Sequence, residues 1–560
     1  MFCVDASGLL IERGSNLSLY PGVRHVGVSF LAKALLVGVF FSFAAALTHA
    51  QDPAEDTAGE GNTQVPHAAT ITVNARLVVL DIVVTGKDGK PVDGLTRKDF
   101  EVFEDDKLQS IRSFESPSAH SLPAASTAAG AAMVYDAAKP AAFGQSPVTV
   151  LVLDQLNTHF ADSSFARRSL HDYLTKQPQP LSQPATLLTV YQNKFKLLKE
   201  FTRDRDALLK ALEAAPTEYA WQLEVNGSAD YGPLERLDQS LHAIEEIAQS
   251  YARIPGRKNL IWVGGGFPTI DPTMIDRGDA QEVKDTLQHV TNILLDTRVT
   301  LYAVDPSSSA AGMTEITDST QLEFAEAAGD ALSGAFDPFG ANEDFDKLGP
   351  VTGGRVVRGM NNIAQQIADS IDLGANYYTI GYAPSSSSQA ESKYRKIRVV
   401  CLVPGLKATT RNGYYAESPH PEKSADTMAY DLTTAAESNI PLNGLHVTVE
   451  ADHSVASEEE SYIVHVGASG LSWKLADNGG STASVAVMAV SLSSKGKMIG
   501  HVLHGMTANA RAGVDLRDST RSANFNITVK REAKATTLRF VVRDSATGRM
   551  GSVDLPLTGH

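Results

Sequence analysis

Cysteine is the first scarcity. The chain holds two, Cys3 and Cys401, which excludes a small fold stapled by several disulfides. Basic residues are also outnumbered. There are 49 Lys and Arg against 65 Asp and Glu, a net charge of −16. No Lys/Arg cluster offsets that acidity, so nucleic acid is excluded as a partner. Apolar runs long enough to span a bilayer are absent after Leu47. Catalytic signatures are missing too: no Gly-x-Ser-x-Gly elbow, no His-Glu-x-x-His and no Gly-Lys-Ser/Thr phosphate loop occurs. His159, His171, His242 and His289 share no metal-ligand spacing and read as surface or packing residues.

What is present begins with a leader. "KALLVGVFFSFAAALTHA" carries Lys33, an apolar core from Ala34 to Leu47, and small residues at Thr48 and Ala50. That pattern reads as a secretory signal (1–50) cleaved after Ala50, which makes the mature chain exported: periplasmic, extracellular or envelope-associated. The alternative is a retained signal anchor, disfavoured because the apolar run is short for a bilayer span. Removal of the leader, with three basic and two acidic residues, takes the net charge to −17. Cys401 then remains as a lone thiol inside the apolar strand pattern "KIRVVCLV", a buried inert position rather than a nucleophile.

Residues 51–69 are small, polar and Pro/Gly-bearing, a disordered lead-in. Between 70 and 116, "ITVNARLVVLDIVVTG", the turn "KDGKP" and "FEVFEDDKLQSIRSFE" predict a small β-sandwich-like module. An Ala/Ser/Pro-rich linker occupies 117–145. From 146 to 416 the pattern alternates strand and helix. "VTVLVLD", "ATLLTVYQ", "NLIWVGG", "VTLYAVD" and "NYYTIGYAP" read as strands. Leu237, Leu241, Ile244 and Ala248 give the clearest amphipathic helix. Such alternation implies a doubly wound, mainly parallel sheet with helices on both faces. A short linker (417–428) leads to 429–560, where "SYIVHVGAS", "SVAVMAVSL" and "TTLRFVVRD" predict a C-terminal antiparallel β-sandwich.

Several long phrases in this order carry a resemblance: "LVVLDIVVTGKDGKPVDGLTRKDFEVFEDDKLQSIRSFE", "LVLDQLNT", "PGRKNLIWVGGGFP", "LYAVDP", "YYTIGYAP" and "YRKIRVVCLVPGLKATTRNGYYA". Over about residues 70 to 416 the chain resembles the VWFA-related domain proteins of the secreted acidobacterial type. The resemblance implies a von Willebrand factor A-like domain. It also implies a divalent-cation site on three loops at the carboxyl edge of the sheet, the first loop reading Asp-x-Ser-x-Ser. Carried over residue by residue, Asp154 matches the Asp and Thr158 replaces the last Ser as a hydroxyl donor. Leu156 falls on the other Ser and has no ligand atom, while Asn157 offers a carbonyl oxygen one position out of register. The family's second loop carries a Thr where this chain has Gly232, Pro233 and Leu234, and its third an Asp where this chain has Gly264-Gly265-Gly266. Mg²⁺ demands near-octahedral oxygen ligation. The expectation is therefore a degraded site of Asp154, Thr158 and Asn157, with at most weak Mg²⁺ or Ca²⁺ binding and no other cofactor. Asp230 or Asp271 would rescue it only through an inward-folding loop.

A metal-free reading stands beside this one: a carboxylate at a strand end accepts backbone amides of the turn that follows. Gly264–Gly266 reads as a tight turn rather than a phosphate cradle, since Pro268 follows and no basic residue is near. Two functions stay open. One is non-catalytic binding, adhesion or envelope scaffolding, with a protein or envelope ligand. The other is a cation-assisted hydrolase using Asp154 and Asp305, which both follow strands. The absence of other catalytic groups favours binding.

Overall fold

The structure is a computed structural model. It describes residues 77–129, 140–191, 194–217, 232–268, 276–306, 315–316, 345–358, 362–384, 394–416, 425–438, 440–452, 460–476 and 479–557. The expected signal peptide and lead-in, together with Asp230 and Asp271, lie outside these residues. Among the described residues, no helix is long and apolar enough to cross a membrane.

Four strands open the described chain: β1 (Val78–Thr85), β2 (Phe100–Glu104), β3 (Lys107–Gln109) and β4 (Ile111–Glu115). Next come a short helix α1 (Ala124–Ala129), β5 (Val148–Asp154), α2 (Phe160–Lys176), β6 (Ala185–Tyr191) and β7 (Lys194–Thr202). The chain continues through α3 (Arg205–Glu213), α4 (Pro233–Ser250), β8 (Lys258–Val263), α5 (Arg277–Asp296) and β9 (Val299–Asp305). After β10 (Glu315–Ile316) come α6 (Phe345–Val351), β11 (Arg355–Arg358) and α7 (Ile363–Ala375).

These central elements build a seven-stranded sheet in the order β10-β11-β9-β8-β5-β6-β7. The five inner strands run parallel, while the edge strands β7 and β10 run antiparallel. Every residue of β5, β6, β8 and β9 is buried, as continuous apolar runs require when helices cover both faces. On one face Val150, Val152, Leu260 and Trp262 meet Leu237, Leu241 and Ile244 of α4 and Leu287 and Val290 of α5. On the other, Leu151, Leu153, Ile261 and Val263 meet Ala166, Leu170 and Leu174 of α2 and Ile367 and Ile371 of α7. Each fully buried Val or Leu contributes roughly 1.5–3 kcal/mol, so the two layers hold the sheet between them.

The next strands depart from the expected sheet. β12 (Tyr378–Tyr382), β13 (Tyr394–Cys401), β14 (Lys407–Thr409) and β15 (Gly413–Tyr415) do not extend the parallel sheet. Instead they complete two four-stranded sheets with the N-terminal strands, β14-β1-β12-β4 and β15-β13-β2-β3. The module is therefore not built from 70–116 alone. Of the four N-terminal strands only β2 and β3 pair with each other; β1 and β4 find their partners in β12 and β14. Val78, Leu80, Ile82 and Val102 find their cover in Ile380, Tyr382 and Ile397. The α/β unit is an insertion between the two halves of this module. The segment read as linker is also partly ordered, since His120 is buried and stacks on Tyr377 at 4.0 Å.

Helix α8 (Ala425–Glu437) introduces the C-terminal part. Its strands are β16 (Val447–Ala451), β17 (Glu460–Gly467), β18 (Lys474–Leu475), β19 (Ser481–Ser493), β20 (Met498–Ala510), β21 (Ser522–Val529), β22 (Ala535–Asp544) and β23 (Met550–Pro556). Antiparallel sheets β16-β17-β21 and β18-β19-β22-β23, with β20 added on β19, share a core of Val464, Val466, Val487, Phe525 and Phe540. This part docks on the α/β unit. Gln249 Oε1 accepts from the Met550 amide at 2.6 Å, Asn443 Nδ2 donates to the Ser250 carbonyl at 2.8 Å, and Arg549 pairs with Asp296 at 2.7 Å.

Candidate functional site

Strand order fixes where a ligand site belongs. The chain leaves β5 for β6 and β7 on one side, then crosses to β8 on the other, so the topological switch lies between β5 and β8 at their carboxyl ends. Asp154, the last residue of β5, stands at that point and is completely buried.

Both its oxygens are taken. Oδ1 accepts from the amides of Leu156 at 2.9 Å and Asn157 at 3.0 Å. Oδ2 accepts from Trp262 Nε1 at 3.2 Å and from the Gly266 amide at 3.0 Å. A carboxylate offers about four lone-pair positions, and four N–H donors occupy them. One pair closes the residue's own turn; the other ties that turn to β8 and the loop after it. Thr158 adds a second tie, its Oγ1 accepting from the Gly265 amide at 2.9 Å. Asn157 Nδ2 donates to Ser240 Oγ on α4 at 2.8 Å, and Ser240 Oγ donates in turn to the Arg236 carbonyl at 2.8 Å.

Glycine at 264 is what lets the two loops meet. Its φ of 152° is one that side chains rarely adopt. A Cβ there would lie 2.4 Å from both Asp154 Cβ and Thr158 Oγ1. At Gly265 an added Cβ would come within 2.7 Å of the Asn157 carbonyl oxygen. The glycine run therefore serves close backbone approach. Burial pushes the Asp154 carboxyl up, to about 6, against the pull of the Asn157, Trp262, Leu156 and Gly266 donors.

This donor set does not fit a tight divalent cation. A Mg²⁺ ion bound at Asp154 would have to compete with four N–H donors for the same two oxygens, and Mg²⁺ needs several further oxygens. Leu156 supplies none, because its side chain is 3% exposed and packs in the core on the α4 side. Thr158 already accepts the Gly265 amide. Asn157 Oδ1, buried without a hydrogen-bond partner among the described residues, is one oxygen left over and cannot complete a shell. No group of three or more His, Cys, Asp or Glu among the described residues is arranged to hold a metal. The chemistry available is that of a clasp.

Asp305 ends β9, with β8 between it and β5. Strand spacing alone puts the two chain ends about 10 Å apart. Asp305 faces Arg358 on the neighbouring strand at 3.7 Å, not Asp154. The carboxylate partners of these histidines are not Asp154: His171 lies near Glu213, His242 pairs with Asp238 at 3.4 Å, and His289 pairs with Glu245 at 3.2 Å. Sequence reading missed Trp262 and Ser240, and read Gly266 only as part of a tight turn. The signal for Trp262 was available: an indole within an otherwise aliphatic buried strand must place its N–H on an acceptor.

Comparison with known proteins adds little. No family model matches the chain, and no curated protein matches it. Among solved structures, the crystal structure of the SpRpn10 VWA domain is similar at 12% identity, over 29% of this chain and 89% of that chain, with a TM-score of 0.15.

Proposed function

We propose that the protein is an exported, non-catalytic binding or envelope-scaffold protein. In this reading the central unit is a von Willebrand A-like domain, and a metal-free clasp has replaced its adhesion-type cation site. The observation that carries the proposal is the fourfold N–H occupancy of the Asp154 carboxylate at the switch point of the sheet. A carboxylate held this way can neither bridge a cation to a partner nor activate water. Ligand contact then falls to the surface around it, where Phe160 and Phe165 of α2 are 47% and 41% exposed directly after the Asp154–Thr158 loop. Exposed aromatic residues of this kind are typical anchors in protein interfaces. The different partners of its two carboxylates, Trp262 for Asp154 and Arg358 for Asp305, weigh against the hydrolase alternative.

The test uses the mature chain as bait against the native envelope fraction, with millimolar Mg²⁺ or with chelator. Capture of the same ligand is expected in both, and weakened by Phe160→Ala. Capture abolished by chelator and restored by Mg²⁺ would overturn the metal-free reading. Turnover that depends on both Asp154 and Asp305 would restore the hydrolase.

A further inference from the structure

The opposite end of the sheet carries a charge imbalance. Arg257 and Lys258, at the start of β8, are each 1% exposed, and Arg411, in the turn between β14 and β15, is 6% exposed. Arg298, just before β9, is nearly as enclosed. Asp81 of β1 is their shared carboxylate, and Arg298 takes it directly, Nη2 to Oδ1 at 2.5 Å and Nε to Oδ2 at 3.3 Å. Asp81 also acts on Arg257 and Arg411 through space. The hydrogen bonds of the other cations go to neutral groups or, at Arg411 Nη1, to none among the described residues. Arg257 donates to Asn259 Oδ1 at 3.1 Å and to the Tyr302 hydroxyl at 2.9 Å. Lys258 Nζ donates to the carbonyls of Ile254 and Gly256 at 2.6 and 2.9 Å. Arg411 Nη1 is buried without a hydrogen-bond partner among the described residues. The two remaining acids nearby have closer partners, although Asp296 still acts on Arg411 from a distance. Asp296 pairs with Arg549 at 2.7 Å, and Glu115, 43% exposed, pairs with His120 at 3.2 Å.

Undercompensated buried charge is costly, and a buried guanidinium nitrogen left without an acceptor is rare in folded proteins. A buried water would satisfy the Arg411 donor but would leave the charge unchanged. An anion does both. We propose that the junction of β1, β8 and the β14–β15 turn binds a small inorganic anion of chloride size, held by Arg411 Nη1 in the positive field of Arg257 and Arg298. Size follows from enclosure, since residues this buried leave no access for a carboxylate on a macromolecule. The titration behaviour of the neighbours agrees. Burial and the Arg298 charge push Lys258 down to about 7, and burial pushes Arg411 down to about 10 despite Asp81.

Thermal unfolding of the full chain in sodium chloride, against sodium gluconate at equal ionic strength, reads the site. Chloride should raise Tm by several degrees and saturate. Arg411→Met should remove that saturable difference while keeping the general salt response that both proteins share. Crystals soaked in bromide should give an anomalous peak in contact with Arg411 Nη1, a readout that stands even if the variant does not fold. Equal Tm behaviour in wild type and variant, or a water in place of the bromide peak, overturns the proposal.

Discussion

The two ends of the central sheet solve opposite problems. At the carboxyl end one buried carboxylate, Asp154, is surrounded by four neutral N–H donors and needs nothing more. At the amino end one carboxylate, Asp81, is shared among Arg298, Arg257 and Arg411. The ligand-binding edge of this fold type is thus closed on itself here, and the edge that ordinarily only supports the fold is the one left electrically open. Charge near a switch point is weak evidence for a ligand when every lone pair is occupied. Charge far from it is stronger evidence when it has no counterpart.

The largest expected effects come from removing each carboxylate. Asp81→Ala strips Arg298 of its bidentate partner and leaves a cluster of buried cations, a loss of about 5 kcal/mol on the scale of broken buried pairs. Asp154→Ala orphans four donors but creates no naked charge, and should cost about 3–4 kcal/mol. Urea denaturation of the two variants ranks them. If Asp154→Ala proves the more damaging, the contrast between a neutral clasp and a charged junction is wrong.

Titration should give the two carboxylates opposite slopes. Asp154 is held at about 6 in the folded chain against a usual 3.8, so between those values the folded state keeps a proton that the unfolded chain has released. With that shift its contribution is full below pH 3.8 and falls as pH rises through 6, by about 3 kcal/mol. The proton bound there displaces one of the four N–H donors from the carboxyl. Asp81 runs the other way. Burial alone would raise it, but the charges of Arg298, Arg257 and Arg411 hold it below 3.8. Its contribution is present above 3.8 and is lost as pH falls through the lowered folded value. Urea midpoints from pH 3 to 7 for wild type, Asp154→Asn and Asp81→Asn separate these. The wild-type advantage over Asp154→Asn should shrink with rising pH, and the advantage over Asp81→Asn should grow and then level off near pH 5. Parallel curves would mean that neither carboxyl titrates differently on folding.

Much of the carboxyl end was legible in the residues. "VTVLVLD" marks a strand buried on both faces, and its terminal Asp followed by a polar turn locates the edge. Leu156 reveals the missing ligand without any structure. The rest depended on pairings that periodicity does not carry. A strand after α7 looks the same whether it joins the parallel sheet or turns back to β1, and β12 does the second. β11, four residues long within weakly patterned sequence, leaves no periodic trace. The Asp81–Arg298 contact joins residues 217 positions apart, and a lone Asp inside "LVVLDIVV" reads as an outward-facing strand residue until its partners are known.

The smallest of these effects tests the clasp through its backbone alone. Gly264→Ala removes no hydrogen-bonding group and changes no charge. It places a methyl 2.4 Å from Asp154 Cβ and from Thr158 Oγ1, at a φ of 152°. Either the β8 loop withdraws, breaking the Gly265–Thr158 and Gly266–Asp154 bonds, or the Asp154 turn shifts and loosens its own pair. Each route costs about 2 kcal/mol in overpacking and strain. Because Trp262 Nε1 donates to the same carboxylate oxygen as Gly266, its fluorescence should change together with stability. Urea unfolding followed by tryptophan emission gives both readings at once. A neutral Gly264→Ala with unchanged native emission would mean that the loops are not held together by Asp154, and the clasp would have to be abandoned.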